Sequence, residues 1–430
     1  MLNVIITQQG DVRNKGEHAI LKSEISFLEE IYRDIKVTVL TLYPERLKRV
    51  EPKLEVYSPL IDLQIRGKYR PPLMMYPSLL FLQVFLSFVS ILLRKTHLKP
   101  IYRAAVIEKF ERADLVISSG TEAFMEGSLF QGRQTLISRA TSLFMLFWGM
   151  YEVFIVKKVF RKPFLTFPQS IGPLRTWMGR FAIRFILNNV DAVLLREAYS
   201  LTLLKDIKKK APIYVIADMA FLFKNSLEFG QQLPRPVIGV SPCFPHGFSD
   251  QQQRNYISVH SKVLDYLVEK HNVNVVFLPS VIGYGETERR ERMGDDLEVC
   301  RKILQNMTRK EKAKIICAGT ADEFEHLVRQ LDLLIATRMH PCILASIKNI
   351  PFISVIYEHK QVGMLEKLGL MGVNVNINAF SYAEFKSKVE YAWSQREVVK
   401  KQLSLKIPLL QKQMKTDLGE IFLNITRSPK

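Results

Sequence analysis

Apolar and polar positions along the chain follow a repeating two-part pattern: a short aliphatic or β-branched run, then a longer stretch with helical spacing. Continuous apolar runs bounded by turn residues read as strands buried on both faces. Their alternation with helical stretches predicts parallel sheets covered by helices. In the first half the predicted strands are 4–7, 36–40, 115–118, 163–167, 192–195 and 213–216. In the second half they are 237–240, 273–278, 314–317, 333–336 and 352–356. Between the halves, 225–236 is polar and carries Gly230, Pro234 and Pro236, which suits a linker better than a helix or a central strand. A boundary near 230 follows. The reading is two Rossmann-like, doubly wound α/β domains, 1–230 and 231–430, with a cleft between them. The amphipathic stretch 397–426 is expected to return to the first domain.

One segment departs from the pattern. Residues 71–93 contain no charged side chain and lie between Arg70 and Arg94-Lys95. That length would suffice for a membrane span. A span here would strand the second β-run on the other side of a bilayer from the rest of its sheet, so two readings remain. One is an apolar helix buried in the domain or at a dimer contact; the other is a segment lying on the cytoplasmic face of the cell membrane. A second apolar stretch, 143–156, contains Glu152 and is too short and too polar to span.

Composition changes little in this picture. The hydrophobic share of 47% and the charged share of 24% are those of an ordinary globular chain. A net charge of +19 favours anionic ligands or an anionic membrane surface. The basic residues are scattered or paired, with no nucleic-acid motif, so no nucleic-acid partner is expected. The four cysteines are too dispersed for a zinc site and read as free thiols in a reducing compartment. The chain starts directly on a strand pattern without signal-peptide features, so a cytoplasmic protein is expected. No metal or cofactor is called for. Walker A, dinucleotide-glycine and Gly-x-Ser-x-Gly patterns are missing, which weighs against common ATPase, dehydrogenase and hydrolase classes.

The candidate chemistry lies where predicted strands give way to helices, the place where doubly wound folds bind ligands. Thr337-Arg338-Met339-His340 follows one strand and opens an apolar helix; a helix N-terminus favours an anion, and Arg338 adds a forked donor. The plainer alternative makes Thr337 an N-cap and Arg338 a solvated side chain. Gly319-Thr320-Ala321-Asp322-Glu323 has the spacing of a capping box, and Lys360 follows the strand at 352–356. In the first half, the polar loop from Gly10 to Gly16, with Asn14, Glu17 and His18, could seat a hydroxyl or a phosphate. Pro168-Gln169-Ser170-Ile171-Gly172-Pro173-Leu174-Arg175 aims Gln169 and Arg175 from a fixed loop, and Arg196 ends another strand. Each of these alone is equally an ordinary loop.

Taken in order, the segments resemble the polysaccharide pyruvyl transferase family. The matching pieces are Asn14-Lys15-Gly16-Glu17-His18-Ala19-Ile20, Gln169-Ser170-Ile171-Gly172-Pro173-Leu174, 191–200, Asp218-Met219-Ala220-Phe221, Arg338-Met339-His340, and 351–360 with Gly363. Two positions depart: Glu17 stands where the family has Asp, and Ser118-Ser119-Gly120 stands where it has a run of glycines. The resemblance implies a GT-B-like arrangement of the two domains, phosphoenolpyruvate as donor, and a pyruvate ketal on a saccharide, free or lipid-linked, as product. It makes Arg338, Lys360 and Arg196 the cations for a carboxylate and a phosphate, and His340 the acid. Glu17 or Glu122 becomes the base, with Asn14, His18, Gln169 and Arg175 as substrate contacts. Two alternatives stay open. One is a GT-B glycosyltransferase using a nucleotide-sugar donor; the other is a non-catalytic, membrane-associated glycan-binding protein.

Overall fold

The computed structural model of the 430-residue chain describes residues 1–62, 76–121, 124–126, 136–225, 227–245, 247–283 and 295–427. The first sheet is built from β1 (Leu2–Gln9), β2 (Ile35–Thr41), β3 (Glu55–Tyr57), β4 (Leu115–Ser118) and β5 (Phe164–Thr166), all parallel, in the order β3-β2-β1-β4-β5. A parallel pair, β6 (Val193–Leu195) and β7 (Ile213–Val215), continues it, because isolated bridges join Leu165 to Ala192 and Gln169 to Leu195. The second sheet holds β8 (Val237–Ser241), β9 (Asn274–Phe277), β10 (Ala313–Ile315), β11 (Leu333–Ala336), β12 (Phe352–Ile356) and β13 (Asn374–Asn376), again parallel, in the order β10-β9-β8-β11-β12-β13.

Side chains alternate across a strand, so each strand feeds two layers. Val4 and Ile6 of β1 enter one buried cluster while Ile5 enters another, and Leu115 and Ile117 of β4 part from Val116 in the same way. Both faces are therefore covered, which is why these strands read as unbroken apolar runs. The first of those clusters extends through Phe221 and Leu222 into the second domain. On the other face of the first sheet lie the helices Tyr76–Lys95, Leu136–Phe154 and Trp177–Asn189. Glu152 of the Leu136–Phe154 helix is buried against the end of β1, accepting from Thr7 Oγ1 at 2.8 Å and Gln8 Nε2 at 3.0 Å. Burial raises its carboxyl to about 7, against the pull of these donors.

The last helix, Arg396–Arg427, straddles both domains. Gln402 and Lys406 bond the carbonyl of Leu368 at the end of a second-domain helix. Beyond Pro408, Gln411 bonds the carbonyl of Phe221, and the buried Phe422 stacks on Phe167 and meets Phe27 edge-on. Tyr76–Lys95 is long and apolar enough to cross a membrane. It is not a buried core helix, however: few of its residues are buried, and only one side packs on the domain.

Candidate active site

The carboxyl ends of β6, β11 and β12 meet in the cleft, facing the start of the first helix, Lys15–Ile31. β11 ends at Ala336, and Thr337 does not cap the next helix; its hydroxyl pairs with Tyr256 at 2.5 Å. Arg338 takes the cap position of the helix Met339–Ser346, which puts His340 in the first turn. The imidazole sits between two first-domain groups. On one side Asp218 Oδ2 lies 3.6 Å from His340 Nε2, an ion-pair separation that is long for a hydrogen bond. On the other is Gly16, where an added Cβ would stand 2.2 Å from the ring's Cγ and Nδ1. Only glycine fits there, which gives that residue of the Asn14-Lys15-Gly16 run a physical role. His340 Nε2 is buried and, among the described residues, has no hydrogen-bond partner.

Asp218 joins His340 to the neighbouring strand end. Its other oxygen caps the turn Met219–Leu222 through Ala220 N–H at 2.9 Å, and Arg196 Nη1 donates to Oδ2 at 3.0 Å. Burial alone would raise this carboxyl; His340 and Arg196 outweigh it and hold it at about 2. Arg196 is itself buried and anchored by Ser170 Oγ at 2.7 Å. A water-sized cavity of about 10 Å³ beside this cluster is lined by Arg196, Asp218, Met339, Lys360 and Lys367, with apolar walls from Phe221, Ile343 and Met364. Lys360 pairs with Glu358 at the cavity edge. Lys367 belongs to the same lining and has its pKa lowered by burial, with Glu197 opposing. A second interdomain pair lies nearby, His359 Nε2 at 3.5 Å from Glu197 Oε1. Among the described residues no group of three or more His, Cys, Asp or Glu could hold a metal ion.

Arg196, Lys360 and His340, three of the residues singled out from sequence, are therefore brought together. The others are placed differently. The Arg338 fork is already engaged: Nε and Nη2 both meet the buried carboxylate of Asp296 at 2.8 Å, so the expected anion clamp is held in a part-buried ion pair. His18 is used by the fold. Its Nδ1 accepts from Ala321 N–H at 3.2 Å, so the proton is on Nε2, which donates to Glu51 at 2.9 Å. Asn14 caps the first helix, accepting from Gly16 N–H and donating to Glu17 Oε1. The Glu17 carboxylate lies over Gly10, where a Cβ would fall 1.8 Å from Oε2. Arg175 is exposed, and its backbone N–H donates to Glu126. Gln169 is buried in a network with Ser118, whose hydroxyl donates to Gln8, and Glu24 holds the next residues through Ser119 Oγ and Gly120 N–H. Glu122 lies outside the described residues. Sequence reasoning missed Lys367 and Asp296, which carry no local signal, while His359 stood within the matched run 351–360 without a role. Asp218 was visible within its matched run, but its role required the fold.

A family model described as polysaccharide pyruvyl transferase matches residues 14–359. The chain belongs to that family. The amylovoran biosynthesis protein AmsJ of Erwinia amylovora is 24% identical over 265 residues, 57% of this chain and 61% of that protein, so the match spans less than two thirds of this curated relative. Among solved structures, the UDP-GlcNAc 2-epimerase of Neisseria meningitidis aligns over 99% of this chain and 100% of its own, at 11% identity and a TM-score of 0.54. Sucrose-phosphate synthase of Thermosynechococcus elongatus aligns over 100% of both chains, at 10% identity and a TM-score of 0.55. At such identities the likeness concerns architecture alone: this family member has the two-domain GT-B fold.

Proposed function

We propose that the protein transfers the pyruvyl group of phosphoenolpyruvate to two hydroxyls of one sugar, in a cell-surface polysaccharide or its lipid-linked precursor, forming a pyruvate ketal. The observation that carries this reading is the junction of an unpartnered, buried His340 nitrogen with a cavity lined by Arg196, Lys360 and Lys367. A donor bearing both a carboxylate and a phosphate calls for several fixed cations. Family membership supports the reaction class.

Protonated His340, with Asp218 to stabilise its charge, delivers a proton to the methylene carbon of the donor. The C=C π electrons form the new C–H bond and leave a cationic centre at C2. One sugar oxygen attacks there, and its proton returns to the imidazole. The C2–O bond to phosphate then breaks, the phosphate leaving with the electron pair, and the second sugar oxygen bonds to C2. The second hydroxyl proton leaves with the phosphate, so donor plus diol become ketal plus inorganic phosphate. Glu17, the residue after the glycine that abuts His340, is the candidate base that passes this second proton to the departing phosphate. Phosphoenolpyruvate is a product of central metabolism, so the reaction belongs in the cytoplasm.

Mass spectrometry of the protein incubated with phosphoenolpyruvate and candidate saccharides tests this: a pyruvate ketal and free phosphate should appear, and His340→Ala should abolish both at an unchanged melting temperature. Near-wild-type turnover in that variant would remove the acid assignment. Release of a nucleoside diphosphate from a nucleotide sugar would replace the reaction by glycosyl transfer, and no turnover with any donor would leave a binding protein.

A further inference from the structure

The helix Tyr76–Lys95 carries apolar residues on both sides. On the side facing the domain Leu80, Val84 and Ile91 pack on the core, and beside them stand polar residues that are engaged. Gln83 exchanges two 2.8 Å bonds with the backbone of Asp62, the buried Ser87 pairs with the Tyr151 hydroxyl, and the buried Ser90 accepts from Tyr102 N–H at 2.8 Å. On the opposite side Phe81, Phe85 and Leu92 recur at the spacing of one helical face, exposed by 73%, 54% and 64%, while Phe88 at its edge leans on Tyr151 and Phe154. Turning the helix by half a revolution would bury the phenylalanines in place of Leu80, Val84 and Ile91 and break the bonds of Gln83, Ser87 and Ser90. The specific bonds of Gln83, Ser87 and Ser90 hold it the other way, so the outward apolar face is a built feature.

Charge indicates what covers that face. The helix ends in Arg94 and Lys95, and the exposed turn after it adds His97, Leu98, Lys99 and Ile101. A second helix packed on the same Leu136–Phe154 helix repeats the chemistry: Trp177, 77% exposed, and Phe181 share one face of Trp177–Asn189 with Arg180 and Arg184. Exposed aromatic and aliphatic side chains fringed by Lys and Arg, on a chain of net charge +19, match the boundary between acyl chains and anionic headgroups.

We propose that this face docks the protein on an anionic lipid surface, with the Tyr76–Lys95 helix lying in the interface plane and its phenylalanines inserted. The proposal is independent of the chemistry assigned to the cleft.

Sedimentation of the full chain with vesicles of phosphatidylcholine, with and without phosphatidylglycerol, tests it. Wild type should bind the anionic vesicles, and less so as salt rises. Phe81→Gln with Phe85→Gln should weaken that binding at least tenfold, taking about 1.5–3 kcal/mol for full burial of one such side chain as the ceiling per residue. Lys95→Gln with Lys99→Gln should cost about fivefold per lysine and flatten the salt dependence. Both variants change exposed positions, so unaltered circular dichroism serves as the folding control. Wild type remaining in the supernatant with anionic vesicles overturns the proposal, as does binding by both variants equal to that of wild type. A wild-type dimer in light scattering that the phenylalanine variant converts to monomer would also overturn it, by giving the face to a second copy of the chain.

Discussion

Gly16→Ala probes the contact on which the candidate acid depends. The new methyl carbon would lie 2.2 Å from two ring atoms of His340 and 2.5 Å from its Cβ. Carbon atoms rest at about 3.5–4.0 Å, so the imidazole or the helix start must retreat by about 1.5 Å. Overpacking of that kind costs about 1–3 kcal/mol. Against it, alanine is worth up to about 1 kcal/mol more than glycine in a helix, and Gly16 is the second residue of one. Gly16→Ala alone should therefore lower stability by about 0–2 kcal/mol. In a His340→Ala background the obstruction is gone, and the same change should be neutral or stabilising by up to about 1 kcal/mol. Urea unfolding of the four proteins thus has an expected coupling of about 1–3 kcal/mol, with no need to know the acceptor. In turnover, displacing a proton donor by more than 1 Å should cost about a hundredfold. A coupling below about 0.5 kcal/mol, with Gly16→Ala as active as wild type, would refute the close approach.

Two further predictions follow from buried charge. Burial raises the Glu24 carboxyl from 4.5 to about 8, so its contribution to stability is fully present below pH 4.5 and is lost as pH rises through about 8. That loss is on the order of 5 kcal/mol; Glu24→Gln can keep the bonds to Ser119 and Gly120, and its melting profile should be flatter across this window, parallel profiles being the contrary result. Arg338→Ala strands the buried Asp296 carboxylate and should lower stability by about 3–5 kcal/mol, whereas Lys360→Ala should chiefly weaken phosphoenolpyruvate binding, by about tenfold or more. Melting curves with calorimetric titration separate the two roles, and the same pattern in both variants would sink the distinction.

What could be read from sequence followed physical signal strength. The strands β11 and β12 are recognisable to the residue, because a strand buried on both faces must be apolar throughout. Glu55–Tyr57 and Asn374–Asn376 escape notice: each is a short, polar edge strand that becomes one only through pairing with β2 or β12. In the site, the cations Arg196 and Lys360 were legible because strand ends point into the cleft of this architecture. The fate of Arg338 was not, since Asp296 lies 42 positions away with nothing local to link them. His18 misled for a similar reason, because its second partner, the backbone of Ala321, belongs to the other domain.

The straddling last helix bears on how the protein comes into being. Phe422, fully enclosed between Phe27 and Phe167, fills a place in the core of the first domain, although it follows every strand of the second sheet in the sequence. Domains ordinarily complete themselves in the order in which they leave the ribosome. Here the first domain to emerge stays open in one corner until the last helix has followed it, so its packing is finished only after the second domain has been made. The cleft is thus enclosed by two domains that reach their final form together.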